Sequence, residues 1–311
     1  MSAINTAYNQ VDSNRTKTLV IMFFFTLFVT IVAFVLTKAL GFSIEESFGF
    51  TSLFLIFAII MNFTSFYFSD SIILAISQAK QLERKDNVEL FRLVENLCIA
   101  AGLPLPRIYV IDDSAPNAFA TGRDPKHSAI AFTSGVLQKL NKNELEGVVA
   151  HELSHVKNLD IRVMAVVTIL VGLVALLSDV FFRSLWFGGG RRNNDDNKSG
   201  AGAILIVVAI VLAILSPLIA QLIQLAVSRK RESLADASGA VLTRNPEALA
   251  AALLKISSDK EPLEVANKGT AHLYIANPFK QDHKGGITWF ANLFNTHPPI
   301  EERVAALRAM Q

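Results

Sequence analysis

The stretch Asn141-Lys-Asn-Glu144-Leu-Glu-Gly-Val-Val-Ala-His151-Glu-Leu-Ser-His155-Val-Lys-Asn-Leu-Asp-Ile-Arg162 decides how the chain is read. On a helix, residues four apart lie about 40° from one another on one face. His151 and His155 therefore present two imidazoles to one metal ion, and Glu152 faces the same opening, which is the pattern of a zinc site with a base beside it. The helix itself is predicted locally. Asn141 and Glu144 have capping-box spacing, and Leu145, Val148, Val149 and Leu153 supply an apolar side. The bland alternative is a pair of surface histidines on an amphipathic helix.

Immediately after Arg162 the composition changes. Val163 to Phe182 is apolar apart from Asp179 near its end. Three other stretches behave alike: Thr18 to Thr37 holds 20 uncharged residues, Ser47 to Ser69 holds 23 and Ser199 to Ser228 holds 30. Each is long enough to cross about 30 Å of hydrocarbon as a helix. With 51% hydrophobic and 18% charged residues and a mean hydropathy of +0.40, the chain fits a membrane protein with about four transmembrane helices and not a soluble one. Thr18 to Thr37 is too long for a signal-peptide core and is read as an uncleaved anchor. Disorder, collagen and a disulfide scaffold are excluded by the hydrophobic content, by aperiodic glycine and by a single cysteine, Cys98, which suggests a reducing compartment. A net charge of +2 gives no footprint for nucleic acid.

Lys and Arg set the orientation. Eleven of them fall between Asp70 and Arg162, and Arg229, Lys230 and Arg231 follow the fourth stretch directly. The termini and the central segment are therefore expected in the cytoplasm. The division expected is a transmembrane hairpin over 1–77, a first part of a catalytic domain over 78–162, a second hairpin over 163–228 and a second part of the domain over 229–311. Within the second hairpin, 183–200 reads as a polar connector without chemistry. In the first cytoplasmic piece Leu90, Leu93, Val94, Leu97 and Ala101 mark a helix that Gly102 stops. Arg107 to Ile111 and Ser128 to Phe132 read as strands joined by a stretch containing Asn117, Ala118, Phe119 and Gly122. Asn245-Pro246 opens an alanine-rich helix.

A catalytic zinc site wants a third protein ligand. The second hairpin returns the chain to the depth of His155, and the next carboxylate is Glu232. Asp236 lies one turn further, placed to bond the free ring nitrogen of a ligating histidine. The alternative for Glu232 is that it balances Arg229, Lys230 and Arg231 at the lipid headgroups. His297, before two prolines, either belongs to the site or caps a loop ahead of a helix from Ile300 to Met310, and Arg303 on that helix is either a site residue or a solvated charge. His127, His272 and His283 have no spaced partner and are expected at the surface. Cys98 is expected in a core.

Two spans, His-Glu-x-x-His, a hydrophobic hairpin, Glu232-Ser-Leu-Ala-Asp236 and a late His297-Pro-Pro299 with Arg303, in that order, resemble the HtpX membrane zinc metalloproteases over nearly the whole chain. The chain is more distantly similar to the CAAX prenyl endopeptidases. The resemblance implies an α-helical integral membrane protein with an α+β, zincin-like (gluzincin-type) cytoplasmic protease domain in the bacterial inner membrane. It implies one Zn2+ held by His151, His155 and Glu232, with Glu152 as general base and Asp236 behind a histidine. It further implies His297 and Arg303 close to the reaction centre and Asn117, Ala118 and Phe119 along the substrate cleft. The expected function is quality control under stress, cleaving cytoplasmic loops of misfolded membrane proteins and unfolded chains. An extended substrate is expected to pair with an edge strand, for which Ser128 to Phe132 is the candidate. Two rivals are an intramembrane metalloprotease, disfavoured by the charges flanking the motif, and a four-helix channel or transporter with a regulatory metal site, disfavoured because only Asp179 is ionisable within a span.

Overall fold

The computed structural model describes residues 7–39, 42–173, 229–266, 270–278 and 298–310. The remainder of the third apolar stretch, the fourth, the connector 183–200, Asp179, His283 and His297 lie outside the described residues.

The chain opens with two long helices, α1 (Ala7–Ala39) and α2 (Ile44–Ile76). α2 starts at a complete capping box between Ser43 and Glu46, which satisfies two otherwise orphaned backbone N–H groups. Within the helices, Gln10–Val35 and Ile44–Ile76 are long and apolar enough to span a bilayer. Large side chains such as Leu19, Phe23 and Leu53 are more than 60% exposed, as expected for a surface that lipid covers. The two helices are tied across their interface by Asn62, whose Nδ2 donates to Met22 O at 2.9 Å and to Thr26 Oγ1 at 2.6 Å. The expected first span, Thr18 to Thr37, is thus the apolar part of a helix that begins eleven residues earlier, a difference that matters below.

A four-stranded sheet follows, in the order β1 (Lys80–Gln81), β2 (Arg107–Ile111), β4 (Ser128–Thr133), β3 (Ala118–Gly122). β2 and β4 are parallel, and β1 and β3 flank them antiparallel. This overturns one expectation from sequence: Ser128 to Phe132 is an inner strand, and the edge is β3, in the stretch read as a connector. Helix α3 (Val88–Ala101) ends at Gly102 as predicted, with Gly102 at φ 69°, a left-handed cap that a side chain would strain. Beyond β4 come α4 (Ser134–Lys139), α5 (Lys142–Lys157) and a helix, α6, over 160–173. The later helices are α7 (Arg229–Thr243), α8 (Pro246–Ser258) and α9 (Ile300–Arg308).

The sheet is buried on both faces, and its period-two alternation divides the protein's core. Ala118, Ala120, Ile130 and Phe132 point to the side of Val149 and Leu153 on α5 and Leu249 and Leu253 on α8. Phe119, Ala129 and Ala131 point the other way, into a cluster with Ile21 and Phe25 of α1, Ile73 of α2 and Val163, Val166 and Val167 of α6. The membrane helices therefore share a core with the sheet that carries the site.

Two features fix α5. Its capping box between Asn141 and Glu144 is present in both directions. Its end is a corner, because Leu159, 4% exposed, adopts φ 59°, a left-handed conformation that costs a non-glycine residue roughly 1–2 kcal/mol. α5 and α6 are not one continuous helix, so no straight rise connects His155 to the third apolar stretch.

Candidate metal centre

His151 and His155 are both buried on α5, with ring centroids 4.8 Å apart and Nε2 atoms 3.2 Å apart. Glu232 enters from α7, its Oε2 3.7 Å from His151 Nε2 and its Oε1 3.5 Å from His155 Nε2. Tetrahedral zinc with ligand bonds of about 2.0–2.1 Å sets its ligand atoms about 3.3 Å apart, so the three residues are spaced to hold one ion. They are the metal-ligating cluster found among the described residues. Glu232 is 1% exposed, which removes the reading of a headgroup counter-charge. α7 reaches this depth because Gly239 faces α5: a Cβ there would lie 3.1 Å from the His151 backbone nitrogen.

Each histidine has a carboxylate behind it. Asp236 Oδ1 lies 2.9 Å from His151 Nδ1, and Asp160 Oδ2 lies 3.0 Å from His155 Nδ1. A carboxylate at Nδ1 holds the proton there and leaves the Nε2 lone pair turned inward. Burial alone would lower the His155 pKa, but the Asp160 bond and the charges of Glu232, Asp160 and Glu152 outweigh it and push it up to about 9 in the metal-free chain. A metal entering this site displaces a proton.

Arg303 is 2% exposed and not a solvated charge. Its Nε and Nη2 fork onto Asp236 at 2.8 and 2.7 Å, its Nη1 donates to Ile275 O at 2.9 Å, and Nη1 stands 3.8 Å from Glu232 Oε2. Burial alone would raise the Asp236 carboxyl; Arg303 and His151 overcome it and hold Asp236 below the ordinary carboxylate range. The guanidinium is committed to this carboxylate and to the 270–278 segment.

Glu152 is buried beside the pair, and burial raises its pKa; the two histidines oppose that rise and Glu232 adds to it. Its carboxylate also meets the backbone of Ala120, which sets it against β3. The Asn117 side chain donates to Ala276 O at 3.1 Å, and Phe119 stacks edge-on against Tyr274 at 5.1 Å. Both side chains point into the protein, so the backbone of β3 is what borders the site. Ala118 O already accepts from Ile275 N at 3.0 Å.

Asp160 and its partner Arg231 were not foreseen from sequence as site residues. Arg231 Nε lies 2.7 Å from Asp160 Oδ1, and both are buried. A carboxylate five residues after a ligating histidine at the mouth of an apolar stretch was the available signal. His272, expected at the surface, is fully buried, its Nε2 3.1 Å from Thr168 Oγ1. His127 is exposed and pairs with Asp124 at 2.8 Å.

Residues 84–311 match the family model described as Peptidase family M48. The Protease HtpX homolog of Dictyoglomus thermophilum is 44% identical over 305 residues, covering 98% of this chain and 95% of that relative. The Protease HtpX homolog of Tropheryma whipplei (strain Twist) is 43% identical over 303 residues, covering 97% and 98%. Among solved structures, S. mikatae Ste24p aligns with a TM-score of 0.48 at 18% identity, covering 96% of this chain and 67% of that one. Because the two sequence relatives match from end to end, the membrane helices included, membership extends to the whole chain, which is a membrane metalloprotease of peptidase family M48.

Proposed function

We propose that this metalloprotease is a zinc endopeptidase of a bacterial inner membrane, with four spans and an active site facing the cytoplasm. In this reading it cleaves cytoplasmic loops and juxtamembrane segments of misfolded or misassembled membrane proteins, and unfolded chains that reach it. The observation that carries the reading is the convergence of His151, His155 and Glu232 at 3.2–3.7 Å with Glu152 beside them. The ligand arrangement, two histidines on one helix and a glutamate on a later one, is that of a gluzincin-type zincin.

Zinc, when bound, supplies Lewis acidity that makes a water acidic enough to ionise near neutral pH and polarises a peptide carbonyl. The chain's own residues do the rest. Glu152, whose pKa is raised by burial, would take a proton from the water and return it to the leaving amine. His151 and His155 are held in register by Asp236 and Asp160, and Arg303 neutralises the acidic cluster behind them. Asn117, Ala118 and Phe119 shape the cleft by fixing β3. Asn117 O accepts from Thr133 N of β4 while Ala118 O faces Ile275, so by alternation Ala120 and Gly122 also turn outward. Apart from the Ala120 N–H, which meets Glu152, those groups offer an extended substrate main-chain pairing that reads little sequence. His297 is retained as a candidate near the reaction centre on resemblance alone.

Orientation rests on the basic residues of the segment between α2 and α6. The height of the site rests on Asn14 of α1, which bonds Asp160. That residue lies four positions before Thr18, about 6 Å along a helix, so the residues that would hold the metal lie close to the start of the apolar run.

The test is Glu152→Gln in purified, detergent-solubilised protein, with metal content and hydrolysis of an unfolded substrate such as casein measured together. Zinc near one per chain with hydrolysis abolished is expected; hydrolysis at the wild-type rate would overturn the assignment.

A further inference from the structure

His155 is held by Asp160, and Asp160 is held in turn from the first membrane helix. Asn14, on α1 and fully buried, donates through Nδ2 to Asp160 Oδ1 at 2.7 Å and to Asn158 O at 2.8 Å. Its Oδ1 accepts from Arg231 Nη2 at 3.1 Å. One amide thus meets the loop that follows α5, the carboxylate behind a metal ligand, and the first turn of α7, one residue before Glu232. We propose that Asn14 is a positioning residue of the metal site, fixing the Asp160 carboxylate on His155 and making α1 part of the catalytic unit.

Three observations support this over a role as mere glue between helices. The bonds are donor-specific: both amide hydrogens go to acceptors at the corner after α5, and the carbonyl takes the cation, so both donors and the oxygen of Asn14 are engaged. The corner it grips is the one where Leu159 is left-handed, which is what brings Asp160 back to His155. On a straight α-helix a residue five positions on points about 140° away, so the Asp160–His155 contact exists only while the corner is held. Finally, the family match begins at residue 84, so the matched region draws a determinant of its metal site from outside itself.

The inference rests on the zinc reading above, and the experiment keeps the two separable. Zinc release from the full-length, detergent-solubilised protein to a chromogenic chelator is followed for wild type, Asn14→Ala, Asn14→Asp and Asn62→Ala. Asn62 makes an equivalent interhelical bond between α1 and α2 away from the site and controls for loss of membrane-helix packing. Partners behind a metal ligand typically affect metal affinity about 10- to 100-fold. Asn14→Ala is expected to release zinc about tenfold faster. Asn14→Asp, which keeps the shape but faces Asp160 with a second carboxylate, should release it at least as fast, and Asn62→Ala should match wild type. Should Asn14→Ala fail to fold, Asn14→Ser adds no volume, keeps one donor, and is expected to release zinc faster than wild type. Wild-type release from the folded Asn14 variants, or equal acceleration by Asn62→Ala, overturns the proposal. A wild-type chain that holds no zinc overturns the metal reading instead.

Discussion

Replacing Arg303 by Met tests whether this residue acts on the metal site from behind or on the reacting carbonyl. Methionine keeps much of the volume and removes three charge-assisted bonds, two to Asp236 and one to Ile275 O. It leaves the Asp236 carboxylate buried with His151 as its remaining neighbour of opposite character. Removing one partner of a buried ion pair costs about 3–5 kcal/mol, and that loss should appear in urea unfolding of the metal-free protein. Because Asp236 is held below its ordinary pKa, this stability is full above about pH 4 and is lost as pH falls through the lowered value. Arg303→Met should lose that acid dependence. Zinc affinity, read by chelator competition, should fall about 10- to 100-fold, since the carboxylate behind His151 is no longer fixed by the guanidinium fork. Arg303→Lys keeps the charge but cannot fork, so it should lie between the two. Unchanged zinc affinity, a stability loss under about 1 kcal/mol and a large fall in kcat would refute this reasoning and place the guanidinium on the transition state.

Glu232→Ala should lose zinc and hydrolysis together, whereas Glu247→Ala, which removes an exposed pair with Arg308, should change stability by under about 1 kcal/mol and leave metal content intact. Cys98 is buried on α3, and burial, with Glu95 adding, raises its thiol to about 11. Maleimide labelling of the native protein should therefore be slow at pH 7.5, rise with pH, and become fast on unfolding; rapid labelling of the folded chain would contradict the packing of α3.

What could be read from sequence was local. The His151–His155 spacing, the Asn141 and Glu144 cap and the Gly102 stop each lie within one helical turn or one chain reversal, and the structure places all of them as expected. Glu232 and Asp236 were reachable on the expectation that two successive spans return the chain to the depth it left. The sheet was not. Ala118-Phe-Ala-Thr-Gly122 is buried at every position, so it shows no alternation of apolar and polar residues. Its place at the edge depends on pairing with Ser128 to Thr133 and on nothing within itself. His272 was misplaced for a related reason. A histidine without a spaced partner reads as a surface residue, but Thr168, more than a hundred positions away, lies against it.

At the membrane boundary one side chain answers to two rules. Arg231 and Asp160 enter a count of flanking charges as a cation and an anion that set topology. Only Arg229 and Lys230 of that basic triplet are exposed; Arg231 is internal and paired with Asp160. Asn14 enters no such count, being uncharged. Yet a buried amide next to an apolar run is costly unless bonded, and that cost predicts a partner without saying which. The proposed orientation rests on the remaining basic residues of the segment before α6. The function of the boundary does not follow from the count at all. The polar side chains that mark where α1, α6 and α7 meet the domain are the ones that hold His155 in place, so anchoring the protease and assembling its metal site are one structural event.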